Sequence, residues 1–171
     1  ELDARAAQLA RRLHAAGIRK GERVAILAHN HLAHIDLLLA GLRLGCVYTP
    51  FNTRLSAPEQ AALAAYLRPA LMLYDEAHAA LARACGCALQ SLDDYEHWLA
   101  QASAVEPPDP ALTPDDIHMI LLTGGSTGLP KGAMIPYRQI EANCTNTIEG
   151  WGLSAEDCAI QATPCFHAAL N

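Results

Sequence analysis

Residues Arg23–Ala28, RVAILA, form an unbroken apolar run behind a single arginine. Such a short run reads as a buried strand. Upstream, Leu2, Ala6, Leu9 and Leu13 recur at spacings of four, three and four, which is one face of a helix, and Gly17 follows as its stop. Downstream, a second helix is predicted with Asn30 as its N-cap, with Ile35, Leu38, Leu39 and Leu42 turned inward, and with Gly45 at its end. CVYTP (Cys46–Pro50) is a short strand that stops at the proline. Ser56 and Glu59 have capping-box spacing for a third helix, which ends before Pro69. ALMLY (Ala70–Tyr74) is the next strand, followed by a short helix over Ala77–Ala84 and a strand over Ala88–Gln90. Ser91 and Asp94 open another helix, which holds Trp98 and Leu99. Strands alternating with helices across short loops predict an α/β fold with a mainly parallel sheet.

The pattern then breaks. VEPPDPALTP (Val105–Pro114) carries four prolines, so neither a helix nor a central strand passes through it. The organisation expected is an α/β substructure over 1–104, a Pro-rich linker over 105–114 and the start of a second α/β substructure over 115–171. The last part is expected to hold the strand IHMILL, a glycine-rich loop, the strand AMI, a helix over Arg138–Glu149 and the strand CAIQAT (Cys158–Thr163).

Composition narrows the function. The chain has 171 residues, is 51% hydrophobic and carries a net charge of -6. That is enough apolar content for a real core and argues against disorder. The acidic balance, with no basic run, argues against a nucleic-acid surface. The six cysteines lack a regular spacing and read as small buried hydrophobes in a reducing, cytoplasmic setting. The richest apolar stretch, Ile35–Val47, contains Asp36 and Arg43 and is too short to span a bilayer. The acidic, helical start differs from a signal peptide. His29, His31 and His34 read as solvated side chains near a helix start, and Trp98 and Trp151 as packing residues.

The stretch LLTGGSTGLPKGAM (Leu121–Met134) concentrates glycines, hydroxyls and one lysine behind an apolar strand. Glycine loses more backbone freedom on folding than other residues, so a loop this rich in it needs compensation. Successive amides can turn toward one point and make an anion nest. Thr123, Ser126 and Thr127 add hydroxyl donors, and Lys131 adds a compact charge suited to phosphate. Pro130 stiffens the approach, and Gly132 leaves room beside the lysine. The P-loop pattern is excluded, because Lys131 follows Pro130 and precedes Gly132. The dinucleotide fingerprint is excluded too, because Gly125-Ser126-Thr127-Gly128 has the wrong spacing and a strand follows. A plain glycine hairpin is the competing reading, although it needs neither three hydroxyls nor a lysine.

These residues resemble the phosphate-binding signature of adenylate-forming enzymes, with Leu122 in place of an aromatic, Gly124 in place of Ser and Ser126 in place of Thr. GERVAILAHN (Gly21–Asn30) and GLRLGCVYTPFNTRL (Gly41–Leu55) resemble the N-terminal region of the acyl-CoA synthetases of that superfamily, with His29-Asn30 where Pro-Asn is common. PCFHAALN (Pro164–Asn171) is similar to the Pro-x-Phe-His motif of acyl- and aryl-CoA ligases, departing at Ala168-Ala169.

The resemblance implies an enzyme that joins a carboxylic acid, of the fatty-acid type, to coenzyme A through an acyl-adenylate, using ATP and Mg2+. By that resemblance Thr123, Gly124, Gly125, Ser126, Thr127, Gly128 and Lys131 hold the nucleotide phosphates, and Thr123 also ligates Mg2+. Lys131 and His167 are the implied catalytic residues, the second beside the carboxylate and the thiol path. Further motifs of the family, among them the ribose anchor and a C-terminal lysine, lie outside these residues. The chain is therefore expected to be an N-terminal portion that is inactive alone and self-associates. The alternative is a non-catalytic module that binds a nucleotide or a protein.

Overall fold

The computed structural model describes residues 1–102, 105–123 and 131–167. RVAILA forms β1 (Arg23–Leu27), near the middle of a single sheet. Its companions are β2 (Val47–Pro50), β3 (Leu71–Tyr74), β4 (Ala88–Ser91), β5 (Ile117–Thr123) and β6 (Lys131–Pro136). The strand order is β4-β3-β1-β2-β5-β6. All pairings are parallel except that of β5 with β6, which is antiparallel. The α/β class with a mainly parallel sheet thus holds.

Helices cover both faces. On one side lie α1 (Leu2–Ala15), α2 (Leu32–Leu44) and α5 (Tyr95–Ala100), and on the other α3 (Ala57–Leu67) and α4 (Ala79–Ala84). Side chains alternate along a strand, so β1 feeds both cores. Val24 and Ile26 join Leu9, Leu13 and Leu37, while Ala25 and Leu27 join Leu63, Leu67 and Met72. Each fully buried leucine contributes roughly 1.5–3 kcal/mol relative to exposure. α6 (Tyr137–Trp151) follows β6 and buries none of its residues fully.

Local signals explain most boundaries. α1 ends in a paired closure, with the Gly17 amide on the His14 carbonyl at 3.0 Å and the Ile18 amide on the Leu13 carbonyl at 2.9 Å. That geometry requires the positive φ of 91° at Gly17, which glycine tolerates. The Ser56–Glu59 capping box forms as expected.

Other expectations need correction. The N-cap of α2 is His31, whose Nδ1 accepts from the Ala33 amide at 3.0 Å; Asn30 is used elsewhere. α2 is also rotated from the face read from its leucines. Its buried residues include His34, Asp36, Leu37, Ala40 and Leu44, whereas Leu42 is 50% exposed. Hydropathy alone turns Asp36 outward, but the partners it meets in the folded chain turn it inward. Ser91 closes β4 instead of opening α5, which Asp94 precedes. CAIQAT forms no strand: it pairs with none of the described strands, and Ile160 is 92% exposed. Trp98 packs as expected under the Arg12 guanidinium, 4.8 Å from its ring, whereas Trp151 is 79% exposed.

From β4 at the sheet edge the chain runs through α5 and the Pro-rich stretch to β5 beside β2, so strands from both sides of 105–114 share one sheet. Lys20 fastens the crossing, with Nζ 2.9 Å from the Ala111 carbonyl and 2.8 Å from the Asp116 carboxylate. No described helix is long and apolar enough to cross a membrane.

Candidate functional site

The parallel strands end at one edge of the sheet, and the chemically suggestive residues follow those ends. In open α/β sheets that edge is where ligands are received. β5 ends at Thr123, which pairs across the antiparallel ladder with Lys131 at the start of β6. The Thr123 hydroxyl donates to the Lys131 carbonyl at 3.3 Å. Both side chains are exposed, and Lys131 has no ion-pair partner among the described residues. Gly132 has a packing reason beyond leaving room for the lysine: a Cβ there would lie 2.8 Å from Ile120 Cγ2. Gly124, Gly125, Ser126, Thr127 and Gly128 lie outside the described residues.

The Pro164–His167 segment is docked beyond the ends of β1 and β2. Asn30 grips it with both ends of its amide: Nδ2 donates to the Thr163 carbonyl at 2.8 Å, and Oδ1 accepts from the Cys165 amide at 2.8 Å. Tyr48, buried on β2, donates its hydroxyl to the Cys165 carbonyl at 3.3 Å. His34 Nδ1 lies 2.9 Å from the same hydroxyl. His34 Nε2 has no hydrogen-bond partner of good geometry among the described residues. Burial favours the neutral imidazole and pushes the His34 pKa down to about 4. Burial also raises the Tyr48 pKa, keeping the hydroxyl protonated. His167 closes a turn, its amide on the Pro164 carbonyl at 3.0 Å. The Arg54 guanidinium stands 5.9 Å over the Phe166 ring. A cleft of about 600 Å³, lined by His29, Asn30, Arg54, His78 and Phe166 among others, opens beside this segment.

Of the site residues read from the sequence, the structure thus places Thr123 opposite Lys131 on β5 and β6, and His167 on an anchored turn. The reading missed the anchors, Asn30, Tyr48 and His34. Of the three histidines read as solvated near a helix start, His29 and His31 are exposed there, His31 as the cap of α2 and His29 with Nδ1 3.0 Å from the Asp75 carboxylate, whereas His34 is buried at 2% exposure. Asp36 was missed as well. Fully buried, it takes a forked guanidinium from Arg5, at 3.1 and 2.8 Å to Oδ2, and the Tyr95 hydroxyl at 3.0 Å. Glu96 binds the other side of Arg5. This network ties α1, α2 and α5 together and supports the helix that carries His34.

The architecture is that of an α/β domain with helices on both faces of its sheet. The chain belongs to the family of AMP-binding enzymes, whose profile matches residues 1–170. Among relatives, it is 38% identical over 169 residues to a feruloyl-CoA synthase of Amycolatopsis sp, covering 99% of this chain and 34% of that protein. It is 31% identical over 172 residues to an indoleacetate–CoA ligase of Aromatoleum aromaticum, covering 94% of this chain and 34% of that protein. Among solved structures, ATP-bound MatB from Rhodopseudomonas palustris superposes with a TM-score of 0.85 at 32% identity, covering 98% of this chain and 35% of MatB. The chain therefore spans about a third of the length of the relatives it matches.

Proposed function

We propose that this chain is the phosphate-loop portion of an ATP-dependent acid–thiol ligase, which activates a carboxylic acid as an acyl-adenylate and passes the acyl group to coenzyme A. The observation that carries the reading is the pairing of Thr123 with Lys131 across the loop, beyond the same sheet edge at which Asn30 anchors the Pro164–His167 turn. A carboxylate oxygen attacks the α-phosphorus of ATP, and the bond to the bridging oxygen of pyrophosphate breaks. Charge grows on that leaving group. Residues 124–128 would hold the β- and γ-phosphates, and the exposed Lys131 ammonium would offset the growing charge. The His167 imidazole would donate an N–H to the acid and border the path of the thiol. Mg2+ takes oxygen ligands and phosphate partners, and the exposed Thr123 hydroxyl fits as one such oxygen. Bound there, the ion would neutralise phosphate charge.

The acid is proposed to be aromatic or fatty, since the relatives include a feruloyl-CoA synthase and a long-chain-fatty-acid–CoA ligase. ATP–pyrophosphate exchange, measured on a polypeptide that extends these residues to the length of the relatives, tests the reading with ferulate, indoleacetate and fatty acids. Exchange with one acid class is expected, and the 171-residue chain alone is expected to give none. Lys131→Ala is expected to lower the exchange rate by on the order of 100-fold while changing the acid KM little, as for loss of a group that acts on the leaving charge. An effect confined to the acid KM would overturn the role of Lys131. Nucleotide binding without exchange for any acid would replace the ligase reading with that of a nucleotide-binding module.

A further inference from the structure

β1 and β3 are neighbours, yet the helices that follow them leave for opposite faces: α2 packs with α1 and α5, and α4 packs with α3. The crevice between two such strand ends is a topological switch point, the preferred ligand position of an open α/β sheet. Three metal-ligating side chains stand there. Leu27 pairs with Tyr74, so His29, two residues beyond β1's last pair, and Asp75, one residue beyond, come together. A 3-10 turn over Glu76–His78 then folds His78 back onto the same carboxylate.

The carboxylate is held firmly. Asp75 Oδ2 accepts from the His29 amide at 2.9 Å and lies 3.0 Å from His29 Nδ1. Asp75 Oδ1 accepts from the His78 amide at 3.1 Å and lies 2.5 Å from His78 Nδ1. Burial works to raise the Asp75 pKa, but these hydrogen bonds outweigh it and hold the carboxyl below its usual range, so it is ionised. The two rings converge, with centroids 4.7 Å apart. Among the described residues, this is the one group of at least three His, Cys, Asp or Glu side chains whose ligand atoms lie within 4.8 Å of one another. Asp75 as a cap for its turn explains His78, but it does not explain why a second imidazole stands on the same carboxylate.

We propose that His29, Asp75 and His78 bind a divalent transition-metal ion of the zinc class in the crevice between β1 and β3. Two imidazole nitrogens and one carboxylate suit zinc and its neighbours, not Mg2+ or Ca2+, which prefer oxygen throughout. Bonds of about 2.0–2.2 Å place tetrahedral ligand atoms about 3.3 Å apart. The ligand atoms lie within 4.8 Å of one another, and the nitrogen–oxygen separations, 3.0 Å to Oδ2 and 2.5 Å to Oδ1, are shorter than that span, so the side chains rotate apart to admit the ion. The metal takes the lone pair of each Nδ1, and the ring proton sits on Nε2 of the same imidazole, which stays neutral. Three protein ligands leave a fourth position, and His29 and His78 both line the cleft that also holds Arg54 and Phe166. A water or an anionic ligand fills it from that side. The site is separate from the oxygen donors at Thr123 and does not depend on the ligase reading.

Titration of the 171-residue chain with Co2+, followed by visible absorption, and with Zn2+, followed by calorimetry, tests the proposal. One ion per chain is expected, with the intense visible bands of tetrahedral cobalt. The His29 side chain is 71% exposed, so His29→Ala leaves the fold in place. It is expected to weaken binding by on the order of 100-fold, at least as much as loss of a group that merely supports a ligand. Zn2+ should raise the melting temperature of the parent chain and not that of His29→Ala. A double Cys85→Ser, Cys87→Ser variant should bind as the parent does. Absence of one-to-one binding, equal affinity in His29→Ala, or loss of binding in the cysteine variant would each overturn the proposal.

Discussion

Lowering the pH from 7 to 5 is expected to remove about 4 kcal/mol of folding stability, through two buried histidines. His34 and His118 are 2% and 1% exposed, and burial pushes the pKa of each down to about 4 from an ordinary value of 6.5. The folded chain therefore holds both rings neutral at pH values where the unfolded chain already protonates them. Their contribution is fully present above the unfolded value and is lost as pH falls through the window from 6.5 toward 4. At pH 5 the proton uptake of the unfolded state favours unfolding by about 2 kcal/mol for each histidine, and at pH 7 by only a few tenths. The total is a large fraction of the roughly 5–15 kcal/mol that stabilises an ordinary domain. Urea unfolding followed by circular dichroism at the two pH values measures it as a fall in midpoint. His118→Phe keeps a ring against Tyr137, whose centroid is 4.7 Å away, and removes one titrating group. The pH-dependent loss should then halve, to about 2 kcal/mol. Equal midpoints at pH 7 and pH 5, or full pH dependence in His118→Phe, would refute the reasoning.

Asn30→Ala removes the two bonds of the Asn30 amide to residues 163–165 and leaves that of the Tyr48 hydroxyl to Cys165. It is expected to cost about 1–3 kcal/mol and to accelerate hydrogen exchange at the Cys165 amide, measured by NMR or mass spectrometry. Asp36→Ala strips a buried guanidinium and a buried hydroxyl of their partner, with an expected loss of about 3–5 kcal/mol in urea unfolding. Glu96→Ala removes a carboxylate whose side chain is 69% exposed and should cost less than about 1 kcal/mol in the same assay.

Much of the frame could be read directly from the chain. RVAILA, the spacing of Ala6, Leu9 and Leu13, Gly17 and the Ser56–Glu59 box all act within a few residues of themselves. Their physics is local, because a helix face, a stop and a cap depend on neighbours in sequence. The glycine-rich run and the Pro-x-Phe-His segment were visible for the same reason, being contiguous runs with an unusual mix of glycine, hydroxyl, lysine and histidine.

The errors share the opposite cause. Asp36 faces inward because Arg5 comes from α1 and Tyr95 from α5, 31 and 59 residues away. Asn30 grips Thr163 and Cys165 across separations of 133 and 135 residues, so its cap-like chemistry was legible while its target was not. His29 meets Asp75 only because β1 and β3 lie side by side, a neighbour relation that strand order sets and that no spacing in the chain records. A polar side chain enters a protein interior when its partners arrive from elsewhere to offset the loss of water. Local pattern therefore sets the helices and strands, while the positions of buried charges and converging ligands follow from which strands the fold makes neighbours.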